Sequence, residues 1–148
     1  MTCPACARLE TTRRGEDPFF VAELRESFCL LHKHQAYEGW CALFLKDHQE
    51  HLDALPRDRQ VRLWQDVMDV SSAIRTAFSP QRLNIECLGN VVPHVHWHVI
   101  PRYDAPTDPD PLSTVWTRSE SELNCGVDQE RRIRLILRLH DAGLRAPQ

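Results

Sequence analysis

The hydrophobic pattern changes period along the chain, and each change marks an element. Phe19-Phe20-Val21 and Ser27 to His32 are short apolar stretches separated by Glu23-Leu24-Arg25-Glu26, which predicts two short strands joined by a tight turn. Gly39 precedes Trp40-Cys41-Ala42-Leu43-Phe44-Leu45, read as a buried third strand. Between Pro56 and Pro80, Val61, Trp64, Val67, Met68, Ile74 and Phe78 recur near helical spacing, predicting a helix over Arg57 to Phe78. Arg82 to Leu88 and Val91 to Ile100 are enriched in apolar and β-branched residues and predict an antiparallel pair turning at Gly89-Asn90. Pro101 to Pro111 holds four Pro and three Asp and opens an irregular loop, 101–127. Asp128 is placed to cap a last helix ending at Ala142 before Gly143. Strands, a long helix, more strands and a final helix describe an α+β fold with an antiparallel sheet.

With 148 residues and 42% apolar content, the chain reads as a single domain, 1–148, able to build a core without staples. Its net charge of −3 is spread along the sequence, which argues against nucleic acid as a partner. The start MTCPACARLE has no secretory apolar stretch and the longest apolar run is Trp40 to Leu45, so no membrane association and a cytoplasmic location are expected. Six Cys at irregular spacing in that setting favour reduced thiols or a metal over disulfides.

The chemistry concentrates in PHVHWHVIPRY, where His94, His96 and His98 alternate with Val95, Trp97 and Val99. A strand's period of two sends the three imidazoles to one face and the apolar residues to the other. One metal shared by all three is awkward, since the first and last α-carbons of a regular strand would lie about 13 Å apart. A division of labour fits better: an end imidazole takes a structural part and its neighbours orient the middle one. Neutral imidazole is a good nucleophile toward phosphorus, and fixing its Nδ1–H on a backbone carbonyl leaves Nε2 free to attack.

LGNVVPHVHWHVIPRY, Leu88 to Tyr103, resembles the signature of the histidine triad (HIT) superfamily, HφHφHφφ with φ apolar. The resemblance is strongest from His94 to Ile100, reaches Gly89 and Pro101-Arg102, and extends more loosely to the Gly39 strand, the long helix and the Asn84 strand. It implies a HIT-like fold with a five-stranded antiparallel sheet, a long central helix and a C-terminal helix, assembled as a homodimer. It also implies a nucleotide substrate, attacked at its α-phosphate by His96 to give a nucleotidyl-histidine that water resolves. His98 would contact the phosphate, and Asn90 would donate to a phosphoryl oxygen where the family usually has Gln. Val91 stands where the family has Ser or Thr and cannot donate from its side chain. Asn84 belongs to the nucleotide-binding residues so implied. His32 takes the place of the family's ribose-binding Asp or Asn, and is equally read as an exposed neighbour of His34. Trp116 resembles a Trp that lies near the active site in some bacterial members, or it is a surface Trp. Phe20, Phe28 and Leu30 are read either as lining a base pocket or as ordinary core.

Cys3 and Cys6 are spaced to share one tetrahedral ion, and nothing before Cys3 suggests a redox motif in a βαβ unit. Some HIT proteins and the related galactose-1-phosphate uridylyltransferases hold a structural zinc with CxxC, a His after the central strand and the first His of the triad. That resemblance implies Cys3, Cys6, His48 and His94 as ligands, with His51 competing for the place of His48, and makes 1–10 a zinc-anchored segment. No organic cofactor is expected. The chain looks closest to bacterial HIT proteins of the diadenosine tetraphosphate hydrolase type, so a dinucleoside polyphosphate or a nucleoside phosphoramidate is the expected substrate. The rival readings are a nucleotide- or partner-binding HIT protein with negligible turnover, and a hydrolase using the triad as metal ligands.

Overall fold

The structure, a computed structural model, describes residues 3–145. Five strands form one antiparallel sheet in the order β1-β2-β3-β5-β4, with β1 Phe20–Glu23, β2 Ser27–Leu31, β3 Cys41–Leu45, β4 Arg82–Glu86 and β5 His96–Arg102. The helices are α1 Pro4–Arg13, α2 Arg57–Phe78, α3 Glu120–Leu123 and α4 Gln129–Asp141. No helix among the described residues is long and apolar enough to cross a membrane.

Registry divides the sheet into two faces. Cys29, Leu31, Cys41, Leu43 and Val99 face α2 and α4 and form the main core with Val67, Val70, Ile74, Leu135 and Leu139. Phe28, Leu30, Ala42, Phe44, His96 and His98 pair across the strands on the opposite face. The long helix lies where its periodicity predicted, and it ends on Ser79 in the left-handed conformation. Its last residue, Phe78, leaves room for no side chain at position 39: a Cβ on Gly39, which has φ +96, would meet that ring at 2.5 Å.

Three boundaries depart from the pattern. A helix, α1, occupies most of the N-terminal segment; its buried residues are only Ala5, Leu9 and Thr12, too few to show as a stripe. Pro4 opens it, and Arg8 ties it to the buried Asp17 at 2.9 Å.

The tight turn expected at Gly89-Asn90 is replaced by a longer connection, residues 87–95, so His94 precedes β5 rather than standing within it. The backbone there leaves β4 and turns to the other side: Val95 N–H donates to Gln49 O and Leu45 N–H to Val95 O. Pro93, without an N–H, cannot extend a ladder with β4.

At the far end β5 runs on through Pro101 to Arg102, where β3 has ended and only β4 still pairs with it. The loop 101–127 is therefore shorter than expected. It also holds a 3-10 turn at Val115–Thr117 and the short α3, whose Ser119 and Glu122 form a reciprocal capping box.

Candidate active site and metal cluster

The site grows from β5. His96 stacks on Phe44 of β3 with ring centroids 5.3 Å apart and planes 14° from parallel. Its Nδ1 lies 2.6 Å from the carbonyl oxygen of His94, and a carbonyl only accepts, so Nδ1 carries the hydrogen and donates. Nε2 is left with its lone pair free.

His98 is held in the opposite tautomer. The indole Nε1–H of the fully buried Trp40 donates to His98 Nδ1 at 3.2 Å, which leaves the hydrogen on Nε2. Burial and the neighbouring His96 lower the His98 pKa to about 4, so the ring is neutral at physiological pH. His32 stacks on the other partner in this cluster, Trp40, at 4.0 Å and 14°. Its Nδ1 accepts the His34 N–H at 3.3 Å, and burial lowers its pKa to about 3. His32 is therefore a packed, neutral ring 5.5 Å from His98 and not an isolated surface residue.

Trp116 closes the row, 5.2 Å from His98 and 5.7 Å from Trp40, with its indole N–H donating to Glu86. Arg102 anchors the loop that carries it. That guanidinium donates to Asp108 at 2.6 Å, to Asn84 Oδ1 at 2.7 Å, and to the carbonyls of Asp110 and Ser113. Asn84 thus lies on the His98 face of β4, with its amide oxygen turned to Arg102. Asn90 is exposed in the 87–95 connection, and the neighbouring Val91 is 92% exposed. Phe28 and Leu30 are buried on the triad face, Phe20 stands edge-on to Phe28, and Arg13 of α1 lies over the Phe28 ring.

His94 faces away from this row, toward α1. Its Nε2–H donates to Leu45 O at 2.8 Å, so Nδ1 presents a lone pair, 3.6 Å from Cys6 Sγ and 3.8 Å from Cys3 Sγ. His48 Nδ1 lies 3.4 Å from Cys6 Sγ, and the four ligand atoms all fall within 4.8 Å of one another. An ion with ordinary zinc bond lengths in tetrahedral geometry sets nitrogen and sulfur about 3.5 Å apart. The residues therefore fit such an ion, and the cluster takes His48 and not His51. Burial and the adjacent Cys3 raise the Cys6 thiol pKa, a cost that a bound cation reverses. Glu50 stands 3.7 Å from His48 Nε2 and Leu45 O holds His94, the outer contacts that orient metal-binding imidazoles.

Three residues of the site escaped the sequence reading: Trp40, Glu86 and Arg102. Trp40 gives no local signal beyond that of a buried strand, because the register that sets Ala42, two residues on, opposite His98 is a tertiary fact.

The chain matches the HIT domain family over residues 13–105, a span that ends before Trp116 and starts after the two cysteines. No curated protein sequence matches it. Among solved structures it is similar to a histidine triad protein from Sinorhizobium meliloti, 21% identical, with 88% of this chain and 93% of that one covered at TM-score 0.76. It is also similar to a histidine triad protein from Marinobacter aquaeolei, 24% identical, covering 83% and 86% at TM-score 0.74. A zinc-bound histidine triad family protein from Mycobacterium smegmatis is 20% identical, covering 97% and 96% at TM-score 0.64. At these identities the structures attest the fold, whereas the domain match spans all five strands and the three alternating histidines: the chain belongs to the histidine triad (HIT) family.

Proposed function

We propose that the protein is a nucleotidyl hydrolase or transferase acting at the α-phosphate of a nucleoside phosphate derivative. The hydrogen bond from His96 Nδ1 to the His94 carbonyl carries the reading, because it fixes the ring hydrogen on Nδ1 and assigns Nε2 as the nucleophilic nitrogen. The Nε2 lone pair forms a bond to phosphorus while the bond to the leaving group breaks and its electron pair departs with that group. Water then attacks the phosphorus, the electron pair returns to Nε2, and a nucleoside monophosphate is released. His98, with hydrogen on Nε2, donates to a phosphoryl oxygen as charge develops there. His32, stacked on the buried Trp40, supplies a ring surface beside it for the nucleoside.

Cys3, Cys6, His48 and His94 would hold a structural zinc, with Nδ1 as the ligand atom of both histidines. Four protein ligands complete a tetrahedral shell, so the ion supplies rigidity and charge balance for the thiolates. His94 links this cluster to the reaction: its ring faces the cysteines while its carbonyl fixes the tautomer of His96. The reduced thiols this requires agree with a cytoplasmic location.

The working form is a dimer of two copies. β4 is an edge strand, and along the neighbouring helix α2 exposes Val61 at 58%, Trp64 at 47% and Met68 at 36%, with Trp64 against Trp97 of β5. A second copy offers the complementary edge and the same stripe, as twofold interfaces require.

Intact-protein mass spectrometry after rapid, acid-free quenching tests the mechanism, using an adenylyl phosphoramidate and diadenosine tetraphosphate as substrates. A nucleotidyl adduct is expected in wild type and not in His96→Ala, whose turnover should fall by about a thousandfold or more. Neither adduct nor nucleoside monophosphate from wild type would favour the binding-protein reading instead.

A further inference from the structure

The face of the sheet that carries the nucleophile also carries an acid. Glu86, the last residue of β4, pairs with His98 of β5, and paired side chains leave the same face about 5 Å apart at Cβ. Its carboxylate accepts the indole N–H of Trp116, whose ring is 43% exposed and lies 5.2 Å from His98. The cation on the same face of β5, Arg102, is turned to Asp108, Asn84 and two loop carbonyls. Arg13 lies over Phe28, two strands from β5. Beside the reacting phosphate the chain therefore sets neutral imidazoles, a carboxylate and a partly open indole.

That arrangement discriminates between leaving groups. A polyphosphate brings several negative charges up to a carboxylate, whereas an ammonium group finds both an opposite charge and an aromatic face. We propose that Glu86, with Trp116, selects the leaving group, favouring nucleoside phosphoramidates whose amine portion bears a second, cationic ammonium over nucleoside polyphosphates. This rests on the nucleotidyl-His96 reading. In the reaction the phosphorus–nitrogen bond breaks, its electron pair stays on the amine nitrogen, and that nitrogen takes a proton from water as it departs. Glu86 transfers no proton: it attracts the distal ammonium.

The test uses three adenosine 5′-phosphate derivatives: the phosphoramidate of 1,3-diaminopropane, which keeps a free ammonium, that of propylamine, which does not, and diadenosine tetraphosphate. In Glu86→Gln the ratio of kcat/KM for the diamine over the propylamine compound should fall about tenfold, and the tetraphosphate should gain relative to both. Glu86→Asp keeps the charge and should retain the ratio, as should Trp116→Phe, which removes the indole N–H and keeps a ring. Equilibrium affinities of the three compounds for His96→Ala and for the double variant with Glu86→Gln give a readout independent of turnover, and should shift in the same sense.

An unchanged ratio in Glu86→Gln, with the covalent adduct present, overturns the selector and leaves the mechanism standing. A shift in affinities without any turnover by wild type upholds the selector and overturns the mechanism. Absence of both turnover and binding overturns the two together.

Discussion

Two hydrogen bonds give neighbouring imidazoles opposite tautomers, and that difference divides their roles. His96 donates from Nδ1 to a backbone carbonyl, whereas His98 accepts on Nδ1 from Trp40, so one presents a lone pair and the other a donor. Trp40→Phe keeps a ring in the core but removes the N–H that fixes His98. The expected result is a roughly tenfold loss of kcat, the scale of one buried hydrogen bond, with the His98 nitrogens shifting toward mixed tautomers in 15N NMR. A structural effect alone would lower stability without moving those resonances. His32 predicts a pH effect on stability. Its pKa is lowered by burial to about 3 from the 6.5 of a free imidazole, so between these values the unfolded chain binds more protons than the folded one. The stability contributed by neutral His32 is full above pH 6.5 and is lost as pH falls toward 3. At pH 5, wild type should have lost about 1–2 kcal/mol more, relative to pH 7, than His32→Gln, as measured by urea unfolding of both at each pH. Parallel losses would show that His32 does not titrate in this way. At this scale much of the site is readable directly: alternation puts His96 and His98 on one face, and Cys3-Pro4-Ala5-Cys6 presents two thiols to one point. Glu86 and Trp40 are not, because Glu86 owes its place to the pairing with His98 and Trp40 to an indole N–H that reaches His98 from another part of the chain.

Among the elements, α1 depends most on partners outside itself. Cys3 at its start provides no side-chain cap, and its fixed points are Leu9, the Arg8–Asp17 pair and the cysteine cluster. Cys6→Ser, or chelation of the proposed zinc, should therefore release residues 4–13 to fast amide exchange while β2 and β3 stay protected, together with loss of one zinc per chain. Uniform protection after metal removal would detach the cluster from the stability of α1. The loop after β5 is held by the Arg102–Asp108 pair, with side chains 3% and 0% exposed. Arg102→Met strands a buried carboxylate and should cost about 3–5 kcal/mol in urea unfolding, whereas the double variant Arg102→Met/Asp108→Leu should recover most of that loss. Val115, next to Trp116, packs with Trp40, Tyr37 and Ile100, so the single variant should also change Trp116 fluorescence. The long helix and β2 are legible because their apolar runs are unbroken or strongly periodic. The connection 87–95 is not, because Gly89-Asn90 carries a strong local turn signal that the contacts of residues 92–95 with 45–49 override.

At the scale of the whole molecule, the proposed dimer rests on the exposed stripe of α2. A glutamate in place of Trp64 puts a charge into the exposed α2 stripe, and Trp64→Glu should raise the dimer dissociation constant by about thirtyfold or more, read by light scattering over a dilution series. Equal masses for wild type and variant at every dilution would argue against this stripe as the contact. The sequence by itself determined the fold class, the long helix, the alternating imidazoles and the family to which they belong, because those signals are local: periodicity, spacing and a contiguous motif of seven residues from His94 to Ile100. Only the tertiary structure decided where each of those imidazoles sits and which ring nitrogen it presents. His94 leaves the strand to join Cys3, Cys6 and His48, while His96 and His98 are set apart by a carbonyl and an indole brought in from elsewhere in the chain. Tautomer and metal ligation depend on partners far away in sequence, and long-range packing is what puts a hydrogen-bond partner within reach.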